Sequence, residues 1–181
     1  MKLHLGCGKR YLEGFLHIDI ADFDHIDYKS SVDRLPMIDD NSVDLIYASH
    51  VIEYFDPIEV VEVLKDWKRV LKTDGILRLA VPNFQALIEI YIKTKDIKKI
   101  LGPLYGMWET EDNKFIFHKT TYDEVSLKNI LEDIGFTSVT KWRWQEVFKD
   151  NPDYDDHSQA YYPHMDKVNG LHVSLNLECI K

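Results

Sequence analysis

The chain has 181 residues, of which 45% are hydrophobic and 29% are charged, with 22 basic against 31 acidic side chains and a formal net charge of −9. This composition is typical of a globular domain and excludes a disordered chain, while the acidic balance argues against a protein that holds nucleic acid by its phosphates. Two cysteines, and no apolar run suited to a signal peptide or a membrane span, predict a cytoplasmic protein with one domain, residues 1–181.

Short apolar runs alternate with amphipathic stretches along the chain, a pattern typical of an α/β fold with a mostly parallel sheet. The pattern predicts strands at residues 2–5, 15–20, 29–32, 43–49, 76–81, 137–144 and 171–180. Amphipathic stretches predict three helices, at about residues 57–72, 83–94 and 122–134. The alternation of strand and helix indicates a doubly wound sheet in which parallel strands are connected by helical crossovers.

Capping patterns locate the starts of two of these helices. Asp56 is followed three residues later by Glu59, and Thr121 is followed three residues later by Glu124, so both pairs have the spacing of a capping box. Gly135 is expected to end the last helix. The inward-facing side chains of the middle helix are predicted to be Leu87, Ile88 and Tyr91.

Two long polar stretches interrupt the alternation, at residues 97–119 and 145–170. Connections longer than about 12–15 residues are uncommon in compact domains and tend to form lids or binding loops. We therefore expect both stretches to lie on the substrate side of the domain.

The strongest local motif is the sequence LHLGCGKR at residues 3–10. Gly6 and Gly8 follow the first strand directly, where the lack of a Cβ lets the backbone turn tightly and approach a ligand. Asp19 closes the second strand, where a carboxylate could accept hydrogen bonds from both hydroxyls of a ribose. A dinucleotide fingerprint would need a third glycine where Tyr11 stands, so an NAD-dependent oxidoreductase ranks last among the alternatives.

Further motifs follow in order: GFLHID at 14–19, DRLPMIDDNSVDLIYASHVIEYF at 33–55, VLKTDGILRLAVPNF at 70–84, FHKTTYDEVSLKNILEDIGF at 117–136 and VSLNLECIK at 173–181. With GCG at 6–8, this set resembles the class I S-adenosylmethionine-dependent methyltransferases, in particular a small prokaryotic type with a methyltransferase domain. The resemblance implies a Rossmann-like sheet of about seven strands in the order 3-2-1-4-5-7-6, with the last strand antiparallel. It also implies S-adenosyl-L-methionine as the cofactor.

The resemblance places the cofactor beyond the carboxyl ends of the strands, as open α/β sheets generally do with their ligands. Gly6–Gly8 would lie under its methionine part, Asp19 would bind the ribose, and Asp33 with Leu35 would bind the adenine. The segment 48–50 would line the sulfonium and the acceptor. The full set of cofactor-binding residues that it implies is Leu5, Gly6, Cys7, Gly8, Asp19, Ile20, Asp33, Arg34, Leu35, Ala48, Ser49 and His50.

Departures from the family pattern occur at the first strand and after the fourth. His4 stands where the family has an acidic residue, Arg10 where it has a third glycine, and Tyr54 where it has a second histidine. If the acceptor is a hydroxyl, a general base is needed. His50 is the first candidate because it follows the fourth strand and can titrate near neutral pH, and His118 is the second. Further candidates are Glu53, Tyr105 and the pair Asp156 and His157.

These observations predict a methyltransferase that acts on a small-molecule or glycan-linked acceptor. A non-catalytic S-adenosylmethionine-binding module and a protein or RNA methyltransferase remain as alternatives, although the net charge makes a nucleic-acid partner unlikely. The histidines lack the spacing of metal ligands, so no metal site is predicted. The oligomeric state stays open.

Overall fold

Seven strands form the central sheet of the computed structural model, which describes residues 1–110 and 113–181. The strands are β1 (Lys2–Leu5), β2 (Leu16–Asp19), β3 (Tyr28–Lys29), β4 (Val43–Ser49), β5 (Leu71–Pro82), β6 (Thr137–Lys141) and β7 (Ser174–Ile180). Their order is 3-2-1-4-5-7-6, and β7 runs antiparallel to both of its neighbours. The predicted fold class and strand order are confirmed.

In the described part of the chain, five helices and several short elements connect the strands. The helices are α1 (Glu59–Val70), α2 (Phe84–Thr94), α3 (Lys98–Tyr105), α4 (Glu124–Asp133) and α5 (Trp144–Val147). Single 3₁₀ turns occur at Ile52–Tyr54 and His157–Gln159. Two-residue strands pair Trp108–Glu109 with Phe115–Ile116, and Tyr161–Tyr162 with Leu171–His172. Residues 111 and 112 of the predicted segment 97–119 lie outside the described residues.

The two faces of the sheet are covered differently. On one face, buried side chains of α1 and α4 pack against the strands and form the main core. On the other face, Tyr47 of β4 and Ala80 of β5 pack against Trp142, Phe148 and Tyr154. The second face is therefore covered by the segment after β6, which the polar composition of residues 145–170 did not indicate. Within the described residues, no helix is long and apolar enough to cross a membrane.

The start of α1 follows its predicted capping pattern. Asp56 Oδ1 accepts the amide protons of Ile58 and Glu59, both at 2.8 Å, and Glu59 Oε2 accepts the amide proton of Asp56 at 3.1 Å. The predicted apolar stripe of this helix is buried from Val60 to Leu71. Because the cap and the stripe agree, the helix is fixed in position directly after the loop that follows β4.

Two details of the helix predictions are wrong. The capping box of α4 is formed by Asp123 and Ser126 instead of Thr121 and Glu124, because the short Asp123 side chain accepts the Ser126 amide proton at 2.8 Å. In α2, Ile88 and Tyr91 are 40% and 42% exposed. The helix instead buries Ala86, Leu87 and Ile90, the face on which Ile100 of α3 and Val173 pack.

The strand boundaries also differ from the predicted ones. The predicted strand 29–32 is the two-residue edge strand Tyr28–Lys29, and the predicted strand 137–144 ends at Lys141. The predicted strand 171–180 is interrupted at Val173, because its first two residues pair with Tyr161–Tyr162 outside the sheet. No helix lies between β1 and β2, all of whose connecting residues are described, so the glycine turn leads almost directly into β2.

Candidate functional site

A cleft of about 1490 Å³ opens at the carboxyl ends of β1, β2 and β4. Pockets for single small ligands are usually about 300–1,000 Å³, so this cleft has room for a cofactor and a second molecule. Its position agrees with the general rule for open α/β sheets. Ten of the predicted site residues line it, namely Gly6, Cys7, Gly8, Asp19, Ile20, Asp33, Arg34, Ser49, His50 and His118.

The other three predicted cofactor residues lie in the core. Leu5 and Leu35 are fully buried, and Ala48 is 1% exposed. None of the three lines the cleft. All three side chains pack in the main core, and their predicted cofactor contacts stay predictions.

Asp19 organises the glycine turn. Its Oδ2 accepts the amide proton of Gly8 at 2.7 Å, and its Oδ1 accepts that of Ala21 at 2.8 Å. An ionised carboxylate can accept about four hydrogen bonds, so two remain for hydroxyl groups in the cleft. Asp19 is therefore buried and held in place, while part of its accepting capacity is directed toward the cleft.

Gly6 is required by close packing as well as by its backbone conformation. Its φ is +60°, and a Cβ at this position would lie 2.5 Å from Cγ2 of Val51. Gly8 has a φ of +53°, and its Cβ would lie 3.3 Å from Cη2 of Trp108. Because the two glycines have no side chains, the turn can pass close to Val51 and Trp108.

The segment that carries Asp33 is attached to α1. Asp66 Oδ2 accepts the amide proton of Leu35 at 2.7 Å, and the indole nitrogen of Trp67 donates to the carbonyl of Val32 at 2.7 Å. Asp33 itself is exposed at the cleft wall. Two buried α1 side chains thus fix the backbone on both sides of Asp33, an arrangement that the sequence motif did not reveal.

The two candidate bases are brought together by Glu53. Nδ1 of His50 lies 3.3 Å from Glu53 Oε1, and Nε2 of His118 lies 3.8 Å from the same oxygen. Glu53 has no exposed surface, and neither of its carboxylate oxygens has a hydrogen-bond partner within the described residues. Burial lowers the pKa of His118, and the negative charge of Glu53 acts against that shift. His118 therefore lines the same cleft as His50, and Glu53 lies between the two rings.

Both long polar segments contribute to the cleft. From residues 97–119 it is lined by Pro103, Gly106, Met107, Trp108 and Phe115–Lys119, and from residues 145–170 by Asp155–His157, Ala160, Tyr161, His164 and Met165. Gly106 leaves room for the His118 ring, because a Cβ there would collide with Nε2. The segments face the β-strand ends across the cleft.

A buried polar network lies behind the glycine turn, and sequence reasoning missed it. Asp156 accepts hydrogen bonds from the hydroxyls of Tyr47, Tyr154 and Ser158 and from the amide of Ser158. Burial and the Asp156 charge raise the pKa values of both tyrosines. His4 packs against Tyr47 and Tyr154, and burial lowers its pKa to about 3. His4 is thus a neutral imidazole, where the family pattern has an acid.

Metal and thiol chemistry find no support here. Among residues 1–110 and 113–181, no group of three or more histidine, cysteine or acidic side chains is placed to hold a metal ion. Burial raises the pKa of Cys7 to about 12, so its thiol stays protonated at neutral pH. Cys7 is a packing residue of the turn.

Comparison with known proteins agrees with this geometry. Residues 15–79, from the start of β2 to β5, match the family model of a methyltransferase domain. In this region the chain is similar to S-adenosylmethionine-dependent methyltransferases. The matched region contains Asp19, Asp33 and His50. No curated protein is significantly similar to the chain in sequence.

Solved structures share its fold at low sequence identity. A methyltransferase from Archaeoglobus fulgidus is 18% identical with a TM-score of 0.57, covering 99% of this chain and 85% of that one. A possible histamine N-methyltransferase from Thermotoga maritima is 14% identical with a TM-score of 0.61, covering 99% and 81%. The 1,6-didemethyltoxoflavin N1-methyltransferase of Burkholderia thailandensis, solved with its substrate and S-adenosylhomocysteine, is 12% identical with a TM-score of 0.57, covering 99% and 70%.

Proposed function

We propose that this protein is an S-adenosylmethionine-dependent methyltransferase that transfers a methyl group to a small-molecule or glycan-linked acceptor bound in the cleft between the β-strand ends and the segments 97–119 and 145–170. The convergence of the glycine turn, Asp19 and His50 on one cleft carries the proposal. Two similar folds belong to enzymes whose names give small molecules as substrates, histamine for one and 1,6-didemethyltoxoflavin for the other. These names support a small acceptor for this chain too.

The residues present fit S-adenosylmethionine. Gly6 and Gly8 leave the turn open to close approach, Asp19 has accepting capacity for ribose hydroxyls, and Asp33 can accept from an exocyclic amine. When bound, the cofactor supplies an electrophilic methyl group on a sulfonium. The protein orients the acceptor and excludes water, and alignment of this kind contributes up to about 7–11 kcal/mol to a rate.

His50 is proposed as the base that takes a proton from the acceptor. It lines the cleft directly after β4, and its ring has a nitrogen on each side, with Nδ1 toward Glu53 and Nε2 toward Ser174. General-base catalysis by a positioned side chain contributes about 10²–10⁴-fold. His118 would support this role from the other side of Glu53.

The charge of the cleft lining indicates which kind of acceptor the cleft favours. Acidic side chains outnumber basic ones along its walls: the acids are Asp19, Asp33, Glu59, Glu62, Asp155 and Asp156, against Arg10, Arg34 and Lys119. Such a lining attracts a cationic cofactor and disfavours a phosphate group beside the reacting atom. We therefore propose an acceptor whose reactive end is a neutral hydroxyl or an amine.

Product formation tests the proposal. The protein is incubated with S-adenosylmethionine and a panel of amines, neutral glycosides and matched phosphorylated glycosides, and S-adenosylhomocysteine release is measured. We expect turnover with neutral or amine acceptors and little with their phosphorylated counterparts. Turnover confined to phosphorylated compounds, or to RNA or protein, would refute the proposed acceptor class.

A further inference from the structure

Glu53 is a fully buried acid between two imidazoles. It lies in the 3₁₀ turn Ile52–Tyr54, three residues after His50, and its backbone carbonyl accepts the amide proton of Lys119 at 2.8 Å. That bond joins the turn after β4 to the segment that carries His118. A buried carboxylate without hydrogen-bond partners is costly unless nearby positive charge or a shared proton compensates it. One nitrogen of each imidazole faces its Oε1, at 3.3 Å for His50 and 3.8 Å for His118.

The hydrogen bonds of His118 fix its orientation. Nδ1 lies 3.1 Å from the carbonyl oxygen of Pro103, which can only accept, so Nδ1 carries a proton. Nε2 is then the nitrogen that faces Glu53 Oε1 at 3.8 Å. In neutral His118 this nitrogen has a lone pair, so it can receive a proton that reaches the Glu53 side of the ring.

The two ring nitrogens of His50 face different residues: Nδ1 faces Glu53 and Nε2 faces Ser174. Nδ1 lies 3.3 Å from Glu53 Oε1, and Nε2 lies 3.3 Å from Ser174 Oγ. The Ser174 hydroxyl also lies 2.8 Å from Asn176 Oδ1, so it can donate to either neighbour. It can therefore donate to an unprotonated Nε2 or accept from a protonated one, and it tolerates both states of His50.

We propose that Glu53 is a positioning residue that holds the proton on Nδ1 of His50 and so leaves Nε2 with the lone pair that takes the acceptor's proton. This inference rests on the proposed role of His50 in methyl transfer. It assigns the buried carboxylate a role of its own: Glu53 sets the tautomer before transfer and stabilises the imidazolium afterwards.

Methyl transfer to the acceptor releases one proton. The acceptor's nucleophilic atom bonds to the methyl carbon as the carbon–sulfur bond breaks, and that electron pair stays on sulfur. The proton lost by the acceptor moves to Nε2 of His50. The resulting imidazolium lies beside the Glu53 carboxylate, whose negative charge stabilises it.

Two tyrosines and a third histidine lie around this cluster. Tyr54 and Tyr122 face Glu53, and burial together with the Glu53 charge raises their pKa values, to about 12 for Tyr54. His157 packs against His50 with ring centroids 5.2 Å apart. Neither tyrosine ionises near neutral pH, so neither carries a charge beside Glu53.

Nitrogen NMR of the histidine side chains tests this assignment without any acceptor. The protein is labelled with ¹⁵N-histidine, and the tautomers of His50 and His118 are followed from pH 5 to 8.5 in the wild type and in Glu53→Gln. We expect His50 to be protonated at Nδ1 in the neutral wild type and to shift toward the Nε2-protonated tautomer in the variant. The midpoint of His118 should fall by about one pH unit or more, because the nearby negative charge is removed.

Glu132→Gln is the matched control, since Glu132 is an exposed acid on α4 near Lys128 and far from the cluster in sequence. It should leave both histidines unchanged. An Nε2-protonated His50 in the wild type, or identical histidine spectra in wild type and Glu53→Gln, overturns the proposal. If Glu53→Gln does not fold, the tautomer of His50 is measured in the wild type and in His118→Asn instead. We expect His50 to keep its proton on Nδ1 in both proteins. Loss of that tautomer in His118→Asn would contradict the role of Glu53.

Cofactor binding separates this inference from the proposed function. Calorimetry with S-adenosylmethionine should give the same affinity for the wild type, Glu53→Gln and Glu132→Gln. Absence of binding to the wild type would refute the proposed function while leaving the NMR result valid. Normal binding with unchanged histidine spectra in Glu53→Gln would refute only the role of Glu53.

Discussion

Asp19 Oδ2 accepts the amide proton of Gly8 at 2.7 Å, so one carboxylate connects the end of β2 to the turn after β1. The two strands are adjacent and parallel, which brings the residues beyond their carboxyl ends together. A side chain proposed to bind the cofactor thus also stabilises the backbone that the cofactor would contact. Substitution at Asp19 should therefore affect both stability and binding.

Asp19→Ala is expected to weaken S-adenosylmethionine binding by about 1.5–3 kcal/mol, the range for hydrogen bonds to charged groups, and to lower the melting temperature. Asp33→Ala is the matched comparison, because Asp33 is exposed and carries no backbone bond of the turn. It should lose affinity while keeping its melting temperature. Calorimetry and thermal unfolding measure the two effects, and an unchanged affinity in Asp19→Ala would remove that residue from the site.

Comparing Gly6→Ala with Gly14→Ala separates the cost of backbone strain from the cost of a steric clash. Both glycines have positive φ, +60° and +80°, which costs an alanine about 1–2 kcal/mol. Only at Gly6 would the new Cβ collide, 2.5 Å from Val51 Cγ2, whereas the space at Gly14 is open. Denaturant unfolding should show a larger loss for Gly6→Ala, together with weaker cofactor binding. Equal losses in both variants would show that the contact with Val51 is unimportant.

His50→Asn tests the proposed base at a residue whose φ is +57°. Asparagine tolerates the left-handed region better than most residues, so we expect the variant to fold and to bind S-adenosylmethionine like the wild type. Turnover of a hydroxyl acceptor should fall by about 10²–10⁴-fold. Unaltered turnover with normal binding would exclude His50 as the base.

Acid should destabilise the protein through its buried histidines. Burial lowers the pKa of His4 from its ordinary value of 6.5 to about 3, so the unfolded chain binds this proton more readily than the folded one. The contribution of His4 is complete above about pH 6.5 and decreases by about 1.4 kcal/mol per pH unit as the pH falls toward 3. His17 and His118 act in the same direction, because burial lowers both of their pKa values.

Urea unfolding between pH 7.5 and 4.5 measures this dependence, with His4→Phe as the test variant. Its free energy of unfolding should fall less steeply with acid than that of the wild type, because one buried titrating group is absent. A variant with the same slope as the wild type would show that His4 does not titrate as its burial implies.

The sequence predicted the order of the sheet well because most of its strands contain a short apolar run, although β5 begins at Leu71, five residues before its predicted start. β1 and β4 have their predicted ends, and the glycines after β1 indicated the turn correctly. Gly135 ends α4 as predicted, and Leu87 of α2 is buried as predicted. The cap at the start of α4 and the inward positions Ile88 and Tyr91 of α2 were mispredicted, because they depend on local contacts that the residue spacing does not show. Ile88 has the spacing of a core residue, but α3 covers the adjacent face of the helix.

A motif and its place in the sheet were enough to predict that Gly6, Asp19 and His50 lie at one cleft. They were not enough to locate the Leu35 side chain, which packs in the core, because its hydrophobicity suits a cofactor face and a core position equally. The contacts among His50, Glu53 and His118 join residues up to 68 positions apart. Contacts between the turn after β4 and the segment before α4, among them the bonds from the amides of Lys119 and Thr120 to the carbonyl of Glu53, bring them together.

Calorimetric titration of the wild-type protein with S-adenosylmethionine, beside Asp19→Ala and Asp33→Ala, tests the central claim most directly. We predict saturable binding at one site in the wild type and clearly weaker binding in each variant. Wild-type protein that takes up no S-adenosylmethionine, or three proteins of equal affinity, would contradict the cofactor site described for this cleft.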